Sequence, residues 1–167
     1  MLLIDAIAVV ETQNRVVAGD HGQAFSQFQI HKEVWQDVHR RFGRPTSAQY
    51  VDVGRKFADI AGADTNSILR ARNCATCHIV IIEERLLAAK LPVTAENIYA
   101  VWNLGWDGYK RRGFNLRECP LTTRKGAATV ALLANQRLSN DSKRTSSGRA
   151  VSEKGKPTGD VGGKGKT

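Results

Sequence analysis

Beyond Leu138 this chain has almost nothing with which to build a core. From Ser139 to Thr167 the only large apolar residues are Val151 and Val161, and the rest is dominated by Gly, Ser, Thr and Lys. Such a stretch cannot bury enough apolar surface to offset the entropy of ordering it. Residues 139–167 therefore read as a disordered basic tail. A fold must come from residues 1–138, a length that suits one domain. The chain is 41% hydrophobic, which is enough for a core and excludes disorder throughout.

Charge narrows the class of partner without choosing one. The formal net charge is +9, of which +4 lies on residues 139–167 and +5 on residues 1–138. A surplus of this size favours polyanions: nucleic acid, an anionic membrane or a bacterial cell wall. The tail is either a solubilising extension or an electrostatic attachment to such a polymer. No uninterrupted apolar run reaches the ~20 residues that span a bilayer, so no membrane span is expected. Met1-Leu2-Leu3-Ile4 meets Asp5 at once, unlike the uncharged stretch of a secretory signal. Either the protein is not exported by that route, or this chain begins inside a longer product. A monomer is expected, and its location is left open.

Apolar spacing in residues 1–138 is mainly helical. Leu3, Ile7 and Val10, with Ile4 and Ala8, form a first face. Val34, Trp35, Val38 and Phe42 form a second, stopped by Gly43 and Pro45. Tyr50, Val53, Phe57 and Ile60 form a third, before Gly62. Residues 67–90 carry a longer helix in which Ile79–Ile82 alone would pass for a strand. Thr94 caps a short helix that reaches Asn103 and is closed by Gly105. Thr122 or Thr123 starts a last helix through Ala127, Val130 and Ala134. Between the first two helices, Gly19-Asp20-His21-Gly22 is turn chemistry, and residues 25–30 form a short extended segment. The class is all-α or α-rich.

Glu11 is the first candidate for chemistry. It follows Ile7 and Ala8 by four and three residues, at the edge of the buried face of the first helix. A carboxyl group there loses hydration, its ionised form is disfavoured, and it becomes suited to general acid catalysis. The plain alternative is a surface Glu near a helix end. Its context decides the emphasis. Ile7-Ala8-Val9-Val10-Glu11-Thr12 is followed by Gly19-Asp20-His21-Gly22-Gln23-Ala24-Phe25-Ser26-Gln27-Phe28-Gln29-Ile30, and later by Val101-Trp102-Asn103-Leu104-Gly105.

This order resembles the lysozyme-like superfamily of peptidoglycan-cleaving enzymes, closest to goose-type lysozymes and soluble lytic transglycosylases. The resemblance implies a lysozyme-like helical domain over residues 1–138, carried by about 35 residues of motif. Glu11 matches the catalytic Glu at the end of an apolar helix. Asp20 matches the Asp of the goose-type G-D-x-G turn, and Gln29 the Gln of the G-x-x-Q signature. Asn103 and Gly105 match the Y-N-A-G element, with Trp102 in place of Tyr. Two positions depart from the pattern. Ser26 stands where these families usually have Gly, and His31 where some goose-type members have another acid.

The resemblance implies cleavage of β-1,4 glycosidic bonds in peptidoglycan glycan strands. Glu11 would protonate the departing oxygen. In a hydrolase Asp20 would activate water. In a lytic transglycosylase the muramic 6-hydroxyl attacks instead, Glu11 serves as acid and base, and Asp20 is dispensable. The turn favours the hydrolase. Gln29, Trp102 and Asn103 would bind substrate, although Gln29 and Asn103 equally suit a buried network that pins the turn, and Asp20 an Asx-turn. Tyr99, Trp102, Trp106 and Tyr109 suit either sugar stacking or the core. The second reading is a catalytically inactive lysozyme-like module that contacts wall polymer or nucleic acid through its basic surface and tail.

Cys74-Ala75-Thr76-Cys77-His78 matches the attachment pattern of c-type haem. It sits inside a helical pattern, and the chain has no Met but Met1 to complete the ligation. A zinc site with Cys119 would crowd three ligands into one helical turn. No cofactor and no metal are expected. Buried reduced thiols, or a bridge from Cys74 or Cys77 to Cys119, account for the cysteines.

Overall fold

A computed structural model describes residues 2–42 and 65–147; the side chains of residues 65–67 and 137–147 are not described. Among the described residues, five helices and one two-stranded hairpin make up the fold. The helices are α1 (Leu3–Thr12), α2 (Lys32–Phe42), α3 (Thr65–Ala88), α4 (Ala95–Lys110) and α5 (Leu121–Ser147). The hairpin pairs β1 (Ala24–Phe25) with β2 (Ile30–His31). The α-rich class expected from apolar spacing is the class observed. The expected third helix, Tyr50–Ile60, lies outside the described residues.

Helix α3 forms the central post, in contact with α1, α2 and α4, while α5 packs on α1 and α4. Its strand-like run is helical because Ile79, Ile81, Ile82 and Leu86 are all buried between those neighbours. Tertiary burial outweighs the few tenths of a kcal/mol by which β-branched residues disfavour a helix. Ion pairs fasten the post from outside: Arg72 to Asp5 on α1, and Arg41 to Glu84 between α2 and α3. On α2, Trp35 and Val38 are buried and Val34 is half-buried, but Phe42 at the helix end is exposed.

Helix α1 ends without a glycine. Gln13 takes φ +57, and the N–H groups of Gln13 and Asn14 close back on the carbonyls of Val9 and Ala8. This is the usual left-handed helix stop, built here from residues with no sequence signal for it. The Thr12 hydroxyl then donates to the Gln27 carbonyl at 3.0 Å, tying the helix end to the hairpin.

The short extended segment expected around residues 25–30 is a tight hairpin. Phe25 pairs with Ile30 and Ala24 with His31, and residues 26–29 form the turn. Ser26 adopts φ +71 and Gln29 φ +49. The Ser26 hydroxyl accepts the Phe28 N–H at 3.2 Å, which holds the turn closed. A positive φ explains why glycine suits this position, and the local hydroxyl contact explains how Ser serves.

Two further boundaries move. Thr94 caps α4 as expected, its hydroxyl accepting the Asn97 N–H, but the helix does not stop at Gly105. Gly105 breaks it with φ +69 and ψ +163, and helix resumes to Lys110. Helix α5 also passes Leu138 and continues to Ser147, nine residues into the segment that composition assigns to the tail. A helix already nucleated by packing extends at little cost through residues such as Lys143 and Arg144. Residues 148–167 lie outside the described residues.

Gly126 sits where α5 crosses α4. A Cβ there would lie 2.5 Å from Cε1 and 2.6 Å from the hydroxyl oxygen of Tyr99. Alanine normally stabilises a helix interior by roughly 1 kcal/mol over glycine. Here overpacking against a buried ring costs about 1–3 kcal/mol. Gly126→Ala is therefore expected to lower the urea midpoint of unfolding. A raised midpoint would show that Tyr99 does not pack on this glycine.

Candidate functional site

The C-terminal end of α1, the hairpin, the first turn of α2 and the break in α4 surround a cleft of about 320 Å³. Glu11, Gln29, Trp102 and Asn103 all line it, together with His31, Val34 and the Leu104–Gly105 backbone corner. Four of the five residues expected to form the site are thus brought together from three separate stretches of sequence.

Glu11 is half-buried, and its Oε1 is enclosed with no hydrogen-bond partner. The Tyr99 hydroxyl donates to the carboxyl group. Burial pushes the Glu11 carboxyl above the usual range of a glutamic acid, and the Tyr99 hydrogen bond opposes that shift only in part. The Tyr99 hydroxyl is itself pushed up, first by burial and then by the neighbouring carboxylate, so it stays protonated. Tyr99 is therefore a buried hydrogen-bonding neighbour of Glu11 and not an exposed stacking platform. Sequence spacing grouped it with the other aromatics and gave no signal for this contact.

Gln29 belongs to the cleft wall, but its amide is committed. Nε2 donates to the carbonyls of Val17 and Ser26, each at 3.0 Å. It pins the loop before the hairpin, and Gly19 makes room for it: a Cβ on Gly19 would fall 1.7 Å from the Gln29 Oε1. Asn103 is fixed in the same manner, its Oδ1 accepting the Thr123 hydroxyl at 2.7 Å. Thr123, expected as a possible cap, is instead a buried brace from α5. The Asn103 amide nitrogen remains for a ligand.

Trp102 lies between this cleft and a second one of about 350 Å³, also bounded by Val34 and Gly105. Trp106, His78, Asp37 and Arg85 line the second cleft. The two clefts adjoin along these shared walls, with Trp102 on both and Trp106 on the second. His78 packs against Trp102 at a tilt, with ring centroids 5.2 Å apart and ring planes 60° apart. Asp37 is shared by Arg85 and Arg40, each at 3.4 Å. No sequence pattern announces this charged wall, because it joins α2 to α3 across the fold. Tyr109 is buried, with its hydroxyl donating to Asn97, and belongs to the core.

Asp20 does not line the cleft. The loop closes on itself, with Gly19 and Ala24 exchanging backbone hydrogen bonds of 2.7 and 3.1 Å. Asp20 is left on the outer side, 61% exposed, 3.9 Å from the Nε2 of His31. His31, not Asp20, is the titratable group that accompanies Glu11 in the cleft. The sequence noted His31 as a departure and assigned it no task.

The C-x-x-C-H run lies within α3. Cys74, Cys77 and Cys119 are buried and unbridged. Burial raises the Cys74 thiol, which disfavours the thiolate that a nucleophile or a metal ligand requires. Burial, and secondly the Arg85 charge, lower His78 to about 4, so its ring is a neutral packing surface at pH 7. Among the described residues, no group of three or more His, Cys, Asp or Glu is arranged to hold a metal ion.

The raised pKa of Glu11 has a stability consequence. The folded state favours the protonated carboxyl, so stability contributed by it is present at low pH and declines as pH rises from the ordinary Glu value through the folded one. Glu11→Gln, which cannot ionise, is expected to be more stable than the native chain at pH 7, with the gain shrinking toward pH 4. Chemical denaturation at the two pH values measures it. Tyr99→Phe removes a donor to the ionised form and is expected to move the Glu11 titration higher, as read by carboxyl ¹³C NMR. No protein-family model matches the chain, and no curated protein and no solved structure matches it either. The chemistry of the groove therefore carries the functional reading by itself.

Proposed function

We propose that this chain cleaves β-1,4 glycosidic bonds in the glycan strands of peptidoglycan, with Glu11 as general acid. The carrying observation is a carboxyl group raised by burial, with an enclosed and unpartnered oxygen, at one end of a groove walled by indole rings. Breaking the bond needs a proton on the departing oxygen as positive charge grows on the ring. A carboxyl group whose protonated form is favoured by desolvation is suited to supply that proton. The groove suits a polymer: Trp102 and Trp106 offer flat faces to the apolar sides of pyranose rings. The Asn103 amide is held by Thr123 in a position to meet an acetamido group.

The lysozyme-like order of motifs and the basic surface agree with this substrate, since wall polymer is anionic. A binding module without activity has no use for a desolvated carboxyl group inside its groove. Glu11→Gln keeps the shape of the side chain and removes the acidic proton. It is expected to lower the rate of reducing-end or anhydro-end release from purified peptidoglycan by about 10²–10⁴-fold, with an unchanged circular dichroism spectrum. Undiminished release by the folded variant would remove Glu11 from the mechanism.

A further inference from the structure

We infer that His31, with the Asp20 carboxylate beside it, is the general base that activates the attacking water, in the position where a second carboxylate would otherwise serve. The inference rests on the glycan-cleavage reading above. It starts from the cleft itself. Glu11 and His31 are the titratable side chains that line it, and α4 contributes only the uncharged Trp102, Asn103, Leu104 and Gly105. Asp20, the acid expected to handle water, stands outside the lining and beside His31.

The geometry gives the imidazole a defined task. His31 ends β2, paired across to Ala24, and α2 begins at the next residue, so its backbone is fixed on both sides. Its side chain is 42% exposed, which leaves it within reach of bulk water. The Asp20 carboxylate lies 3.9 Å from Nε2. A negative charge there favours the tautomer that carries its proton on Nε2. Nδ1 is then the nitrogen with a lone pair, free to accept a proton.

In the reaction, a water oxygen attacks the anomeric carbon while the bond from that carbon to the bridging oxygen breaks. The water proton passes to His31 Nδ1, and the Glu11 proton passes to the bridging oxygen. The products are a reducing-end sugar of inverted configuration, an imidazolium and a Glu11 carboxylate. Proton exchange with solvent restores both groups. Asp20 is a positioning residue in this scheme, because it acts through the imidazole.

The test uses the full chain on purified peptidoglycan, with His31→Ala and His31→Asn, followed by mass spectrometry and anomeric proton NMR. Both variants should fold by circular dichroism and lose about two orders of magnitude in rate. Sodium azide, an anionic nucleophile that needs no base, should restore turnover in them and yield a glycosyl azide of inverted configuration. The native chain should release reducing ends that carry ¹⁸O when the reaction is run in H₂¹⁸O. Asp20→Asn should lower kcat more than it changes KM. If Glu11→Gln is inactive while both His31 variants cleave at the native rate, His31 is not the base and the glycan-cleavage reading stands. Anhydro products, or slow variants that azide leaves unrescued, overturn the inference in the same way. A native chain that leaves peptidoglycan intact overturns both.

Discussion

One contact organises the site: the Tyr99 hydroxyl on the Glu11 carboxyl, inside a wall that excludes most of the carboxyl's water. Three helices must meet for it to exist. Glu11 comes from the last turn of α1, Tyr99 from the second turn of α4, and α5 presses Tyr99 forward. The pressing surface is Gly126, where any larger residue would occupy the space of the ring. Desolvation raises the carboxyl, and the hydroxyl limits the rise. A carboxyl group on an exposed helix would have neither property.

The rest of the groove is braced by the same means. Polar side chains that a sugar could use are first held by the protein. Gln29 is spent largely on the loop carbonyls of Val17 and Ser26, and Asn103 gives its oxygen to Thr123. Their cost in conformational entropy is met on folding, so less is lost when a ligand arrives. Arg85 and Arg40 share Asp37 along the outer arm, beside Trp106. That arrangement puts both charge signs within the reach of a polar polymer at the far side of Trp102.

Much of this was legible in the sequence, and for identifiable reasons. Helical spacing marked Ile4, Ile7 and Ala8, and those residues are buried on α1. Gly105 marked a break, and it supplies one, although helix resumes beyond it. The order of motifs singled out Glu11, Gln29, Trp102 and Asn103, and one cleft gathers them. What escaped was decided by contacts between distant segments. Nothing local distinguishes Tyr99 from Tyr109, yet one reaches Glu11 and the other Asn97. Asp20 was chosen by motif, whereas a loop closed between Gly19 and Ala24 turns it outward and leaves His31 inside. The C-x-x-C-H run matched a haem pattern by spacing alone, but its thiols pack in the core. Composition marks where burial capacity ends, whereas α5 runs on to Ser147.

The central claim is that the groove cuts glycan strands. Purified peptidoglycan, freed of its peptides by an amidase and incubated with the native chain, can be sized by mass spectrometry. The account predicts progressively shorter glycan strands whose new ends lie at the bond between one sugar and the next. Strands of unchanged length after prolonged incubation with the folded protein would contradict it.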